Sequence, residues 1–266
     1  MAQDETIISR DNAKLKFARS VRDGKERDFI FIEGTRLTEE AIRSNIEILD
    51  AFVSESASEK ASSIIGKRCE TAKVAAKAFD SITDTENSQG IVMIARRPET
   101  LVEEIDLGKG IVVFLNQINN PSNLGAVIRT AEAAGVSALI TSADSTDAFS
   151  PKAVRASMGS CFRLPIVEGM TFDDAIDCGK QKGLISTAAD INARESYTEI
   201  DWKKPRLLVF GSEAHGLTHR ELDGIEQTIH IPMANLVESL NLAVSVGIIL
   251  FEANRVRSSA FRRPAL

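Results

Sequence analysis

Several residue types are scarce in this chain, and each scarcity excludes something. Its 266 residues contain three cysteines, three histidines, one tryptophan and one tyrosine. Cys69, Cys161 and Cys178 are far apart and odd in number, so no disulfide framework is expected. They read as small buried hydrophobes suited to a reducing compartment. His215 and His219 stand at i, i+4, but no Glu follows the first and Gly216 interrupts the frame, so no metal site is expected. No apolar run approaches the ~18–20 residues that cross a bilayer. The opening MAQDETIISR lacks the apolar segment of a secretory signal and the Arg-rich, acid-poor make-up of a transit peptide. A cytoplasmic protein is expected, with no membrane partner.

What is present suits a soluble protein. The length is comfortable for two domains, and a 43% hydrophobic share can fill a sizeable core. Net charge is −6, which argues mildly against broad electrostatic capture of nucleic acid. The distribution is uneven, however. Residues 10–27 carry Arg10, Lys14, Lys16, Arg19, Arg22, Lys25 and Arg27 against three acids, and the tail adds Arg255, Arg257, Arg262 and Arg263. Two basic ends on an acidic body are compatible with a local RNA surface; a solvated face is the plainer reading.

Apolar patterning divides the chain. Over the first hundred residues Lys14–Arg22 reads as a helix, FIFIEG as a strand, Leu37–Ser44 as a helix, ILDAFVS as a strand, Ala57–Lys67 as a helix and IVMIA as a strand. Residues 96–109 are polar and contain Pro98, which makes them the linker between a domain over 1–100 and another over 106–266. Beyond the linker, strands and helices alternate regularly. GIVVFLNQ, VSALIT, FRLPIV, GLISTAA, RLLVFG and TIHIPM read as strands. Leu124–Ala134, Ala148–Ser157, Thr171–Lys182 and Leu240–Arg255 read as helices. Such alternation predicts a largely parallel sheet covered on both faces, and the unbroken apolarity of the strands agrees.

Three late segments, NNPSNLGAVIRTAEAAG, LLVFGSEAHGL and IPMANLVESLNLAVSVGIILFEANR, share one design. Each takes an apolar stretch into a polar turn bearing Gly or Ser, where side chains are open to chemistry. Within them Asn123, Arg129, Glu213, Ser239 and Asn241 form one candidate site. Local readings compete with it. Asn123, Ser239 and Asn241 could be helix caps. Arg129, set among small apolar residues, could be an ion pair with Glu132 or Glu213. Gly211 and Gly216 have the spacing of a phosphate loop, but Leu217 replaces the required Lys and Glu213 would place negative charge in the anion cradle. No G-x-G-x-x-G follows a strand, so triphosphates and nicotinamides are disfavoured.

N-P-S-N-L-G-A-V-I-R, L-V-F-G-S-E-A-H-G-L and I-P-M…E-S-L-N-L-A-V-S-V resemble, in order, the three signature motifs of the SpoU (TrmH-like) RNA ribose 2′-O-methyltransferases of the SPOUT superfamily. The stretch from Ile8 to Ile42 is also similar to the substrate-binding domain that precedes many such enzymes, a small α/β module like RNA-binding ribosomal proteins. The resemblance implies an α/β chain whose C-terminal domain is a mostly parallel sheet with a trefoil knot. It implies S-adenosylmethionine as cofactor, RNA as partner and a homodimer. It casts Asn123, Arg129, Glu213, Ser239 and Asn241 as active-site residues, and Thr187, Gly211, Ile231 and Leu240 as positions on the cofactor-binding loops. Two departures stand out: Asn116 where many relatives have Asp, and Ala214 in place of a frequent Gly.

Methyl transfer to a ribose hydroxyl depends chiefly on holding oxygen, methyl and sulfur in line. Arg129 and Asn123 are expected to grip the target phosphate and ribose, Ser239 and Asn241 to complete the frame, and Glu213 to orient Arg129 or the RNA. The resemblance offers Arg129 as proton acceptor, but a guanidinium pKa above ~12 favours positioning instead. Ribosomal RNA is the expected substrate, because the N-terminal domain is missing from the shortest tRNA-directed relatives. A tRNA substrate, or a non-catalytic ribosome-assembly factor of the same fold, are the alternatives. Removal of residues 1–100 is expected to weaken RNA binding and leave cofactor binding intact.

Overall fold

The computed structural model describes residues 6–65, 71–86, 88–105, 110–235, 237 and 239–258. Cys69, Glu238, Arg262 and Arg263 lie outside them. The chain forms two compact units, one of Met1–Pro98 with Phe149–Arg163, the other of Glu99–Ala148 with Leu164–Leu266.

In the first unit, α1 (Ala13–Arg22) leads into β1 (Phe29–Glu33), α2 (Thr35–Arg43), β2 (Ile48–Ser54), α3 (Glu59–Ile65), β3 (Thr71–Val74), α4 (Ala76–Phe79) and β4 (Ile91–Arg96). The sheet order is β1-β4-β2-β3, antiparallel except for β2 with β3. α1 is capped by the Asn12 side chain, which accepts from the Lys14 amide, and it lays Leu15, Ala18 and Val21 onto Phe31, Phe52, Val92 and Ile94. β3 and α4 are not visible in the apolar pattern. β3 is four residues long with one fully buried position, too short to register a period.

Phe149–Arg163, which patterning assigns to the second domain, belongs to this unit. Its helix α6 (Pro151–Ser157) starts with Pro at the first turn and packs against β1. Arg155 donates to Asp84 at 2.6 Å, Arg163 to Glu40 at 2.8 Å, and the Arg97 guanidinium lies 4.4 Å from the centre of the Phe149 ring. Gly159, at φ +84°, approaches Glu40 so closely that an added Cβ would sit 2.7 Å from the Glu40 Cβ. Only glycine meets both demands.

In the second unit the elements are β5 (Ile111–Leu115), α5 (Pro121–Ala133), β6 (Ala138–Ser142), β7 (Ile166–Met170), α7 (Phe172–Gln181), β8 (Ile185–Ala189), β9 (Glu195–Ser196), β10 (Arg206–Phe210), α8 (His219–Asp223), β11 (Gln227–His230) and α9 (Leu242–Arg257). Seven strands lie in the order β7-β6-β5-β10-β8-β11-β9, and every pairing is parallel. The α/β class read from the sequence is observed. α9 packs on α5, and a core of Val112, Phe114, Ile140, Ala188, Leu207 and Val209 runs through the sheet. β7 begins four residues later than FRLPIV suggests, because Ser160–Phe162 forms a short 3-10 turn.

Arg206, at the start of β10, is 2% exposed. It donates to the Thr187 hydroxyl at 2.8 Å, the Gln227 side-chain carbonyl at 2.6 Å and the Asp201 backbone oxygen at 3.0 Å, which ties β8, β10 and β11 together. Burial draws its pKa below the ordinary value, against the opposing pull of Asp201, Glu195 and Glu226.

Candidate active site

All strands of the larger sheet point the same way, so their exits share one edge, where ligands of such sheets bind. A cavity of about 1070 Å³ is built there. Asn123 comes from α5, Phe210 ends β10 and Gly211 to Leu217 follow it, Ile231 and Met233 follow β11, and Ser239 to Leu242 lead into α9. The three segments singled out in the sequence thus contribute to one cavity.

Three of the predicted residues form a hydrogen-bonded chain. Asn241 donates from Nδ2 to Asn123 Oδ1 at 3.2 Å, and Asn123 donates from Nδ2 to Glu213 Oε1 at 2.8 Å. Glu213 Oε2 accepts from the Asn119 amide at 3.3 Å. Asn241 Oδ1 accepts from the Ala243 amide at 2.9 Å, which caps α9. Asn241 thus caps α9 with one amide atom and bonds Asn123 at the cavity with the other. Asn123 is no cap, since Asn120 caps α5 by accepting from the Ser122 amide, and Asn123 lies in the first turn beyond Pro121. That leaves its amide free to join Glu213 to Asn241, with both atoms oriented by a partner.

Ser239 is exposed and lines the cavity. Arg129 does not. It sits on the exposed side of α5 and makes no ion pair or side-chain hydrogen bond with another described residue, so neither Glu132 nor Glu213 holds it. The helical period explains the placement: six residues past Asn123, a side chain points about 120° away from it around the helix axis.

Of the cofactor-loop positions, Gly211, Ile231 and Leu240 line the cavity, and Thr187 does not. Thr187 is fully buried within β8, its hydroxyl accepting from Arg206 and donating to the Ile185 oxygen. The same strand contributes instead through its exit, Ala189 to Asn192. That exit repeats the apolar-into-polar design of the other three, so GLISTAADIN carried the signal. Gly211 is indispensable, as an added Cβ would fall 2.2–2.5 Å from the backbone of Gly216 and Leu217. The loop closes on itself there, with the Gly216 amide donating to the Ser212 oxygen at 2.9 Å.

The turn after β5 is equally constrained. Gln117 holds φ +59°, an uncommon conformation for a side-chain-bearing residue. The Ser142 and Ser145 hydroxyls fix it by accepting from the amides of Gln117 at 2.8 Å and Ile118 at 3.0 Å. Asn119, whose amide reaches Glu213, is set by this turn.

Comparisons with known proteins place the chain among related sequences and structures. Residues 110–251 match the model of the SpoU rRNA methylase family, and residues 12–93 that of the MRM3-like substrate binding domain. The Bacillus subtilis 23S rRNA (guanosine(2553)-2′-O)-methyltransferase RlmP is 29% identical over 92% of this chain and 97% of its own. The Bordetella pertussis 23S rRNA (guanosine-2′-O-)-methyltransferase RlmB is 29% identical over 69% of this chain and 77% of its own. An AdoMet-bound rRNA methyltransferase from Sinorhizobium meliloti superposes with a TM-score of 0.82 at 32% identity, covering 94% of this chain and 97% of that one.

Proposed function

The chain belongs to the SpoU rRNA methylase family, and on that premise we propose that it transfers a methyl group from S-adenosylmethionine to a ribose 2′-hydroxyl of ribosomal RNA. The observation that carries the proposal is the chain of hydrogen bonds from Asn241 through Asn123 to Glu213 beside a ligand-sized cavity.

The residues present fit S-adenosylmethionine. Leu217, Ile229, Ile231 and Leu240 give the cavity an apolar lining for a base, and Gly211 admits close backbone approach. Glu213 and Asp190 supply negative charge suited to a cationic ligand. When bound, the cofactor supplies a methyl group activated by a positively charged sulfur. The protein's share is positioning. Asn123 and Asn241 hold fixed amides toward the reacting ribose, and Ser239 adds a hydroxyl. Glu213, expected to orient Arg129 or the RNA, accepts from the Asn123 amide and so orients Asn123. Arg129, committed to no acid, is available to an RNA phosphate, which it can hold as a permanent cation.

The same proposal includes a homodimer and a knot. α9 exposes Val244 (49%) and Phe251 (52%), seven residues apart on one face, although its other side already packs on α5. A helix apolar on both sides asks for a second partner. The knot is supported by chain path: after β11, which β8 and β10 separate from β5, the chain returns to place α9 on α5. No described helix is long and apolar enough to cross a membrane.

Transfer of tritiated methyl from S-adenosylmethionine, to rRNA and to tRNA in separate reactions, tests the proposal. Label in rRNA at a ribose oxygen is expected. Label in tRNA alone would replace the substrate, and cofactor binding without transfer to either would leave an assembly factor.

A further inference from the structure

Asn116 is one of the buried polar residues of the second unit. It follows β5 directly, is 4% exposed, and continues the ladder by donating its amide to the Phe210 oxygen at 2.9 Å. Its side-chain Nδ2 donates to Glu221 Oε1 at 2.7 Å. The other oxygen of Glu221 accepts from the Thr218 amide at 2.7 Å and from the Thr218 hydroxyl at 2.9 Å, while Thr218 Oγ1 accepts from the Glu221 amide. One carboxylate thus joins the exit of a central strand to the capping box that opens α8. The segment it anchors contributes Gly211 to Leu217, His219 and Leu222 to the cavity.

We propose that Asn116 is a positioning residue for cofactor binding, acting through Glu221 to hold the 211–222 segment against the exit of β5. It touches no reacting atom. Its neutrality is the essential property. A carboxylate at 116 would face the Glu221 carboxylate at hydrogen-bonding distance with no proton between them, and like charges so placed cannot both stay ionised. The pair would either part, releasing the segment, or take up a proton. The chain therefore carries a matched couple, amide at 116 and carboxylate at 221, and the reversed couple, carboxylate at 116 and amide at 221, would serve equally. The inference rests on the methyltransferase reading for its cofactor, and on geometry alone for the clamp.

The test compares wild type, Asn116→Asp, Asn116→Ala, Glu221→Gln and the double variant Asn116→Asp/Glu221→Gln. Cofactor affinity is measured by calorimetry from pH 5.5 to 8.5, and amide hydrogen exchange is followed across residues 211–222. For Asn116→Asp the expected result is a roughly tenfold rise in Kd at pH 8, shrinking toward acid pH, with kcat at saturating cofactor little changed. Exchange in 211–222 quickens to match. Asn116→Ala weakens binding less and without the pH dependence, and the double variant recovers wild-type affinity and exchange. Unchanged Kd in Asn116→Asp with only a lowered Tm, or no recovery in the double variant, would overturn the proposal. A wild-type protein that binds no S-adenosylmethionine would instead sink the methyltransferase reading. The clamp would then stand or fall on the exchange rates of the same variants.

Discussion

The two sheets use their polar residues differently. In the first unit, antiparallel and parallel pairings mix, so strand exits alternate between edges and polar side chains find partners close by. Lys14 pairs with Asp50 at 2.7 Å and Lys16 with Asp11 at 3.5 Å. Arg19 bonds Ser81 and the Arg10 oxygen, and Arg22 bonds Asp23 and the oxygens of Ser81 and Thr83. Much of the basic strip that the sequence offered as an RNA surface is thus spent on the unit's own structure. In the second unit every strand runs one way, and four exits gather around one cavity. A linear run of charge says less about a binding surface than polar residues dispersed in sequence but placed after parallel strands.

The largest test of that contrast compares two glycines of positive or crowded backbone. Gly211→Ala must push the backbone of Gly216 and Leu217 aside and so open the cavity loop. A loss of about 3 kcal/mol in cofactor affinity, roughly a hundredfold in Kd, is expected by calorimetry. Gly24, in the first unit, has φ +72° and nothing within 4 Å of an added Cβ. Gly24→Asn, which tolerates that conformation, should leave the cofactor Kd unchanged and move stability by under ~1 kcal/mol. Equal effects in the two variants would erase the distinction.

Arg129 gives the next effect. Since it is exposed and unpaired among the described residues, Arg129→Ala should leave Tm almost untouched while lowering kcat/KM for RNA by about a hundredfold. Arg129→Lys keeps the charge, loses the planar fork, and should fall between. Full activity of either variant at saturating RNA rules Arg129 out.

A smaller, pairwise effect belongs to Asn123 and Asn241. Because the two amides share a hydrogen bond, their alanine variants should be non-additive in kcat/KM, with a coupling of about 1 kcal/mol. Strict additivity would mean that the hydrogen bond plays no part in turnover.

Much of this was legible in the sequence because local signals and fold agreed. The alternating elements of the second unit and the glycine-bearing exit of β10 showed themselves through period and turn chemistry. Other features depended on long-range packing. Phe149–Arg163 reads as one more helix of the regular alternation, yet Arg155, Gly159 and Arg163 meet Asp84 and Glu40, more than seventy residues earlier in sequence. Thr187, which the resemblance put on a cofactor-binding loop, and Arg206 show their buried partnership only when β8 and β10 are side by side. The pairing of Asn116 with Glu221 spans 105 positions, and no local pattern encodes it.

The membership of Phe149–Arg163 also changes how the RNA surface can be tested, and here the effects are smallest. Deleting residues 1–100 would uncover Ala153, Val154 and Phe162, all buried in the first unit, so weaker RNA binding would not isolate the role of that unit. Point substitutions separate the two uses of charge. The side chains of Arg10, Lys25 and Arg27 make no ion pair or hydrogen bond with another described residue, whereas Arg22 is tied to Asp23, Ser81 and Thr83. Lys25→Ala and Arg27→Ala should each weaken rRNA binding a few-fold and reduce the slope of log K against log salt by about 0.7–0.9 for every phosphate left without its cation. Arg22→Ala should leave the slope alone and cost about 1 kcal/mol of stability through its missing hydrogen bonds. If instead Arg22→Ala flattens the salt dependence and Lys25→Ala and Arg27→Ala do not, the strip binds RNA through residues already engaged within the unit, and the contrast between the two units fails.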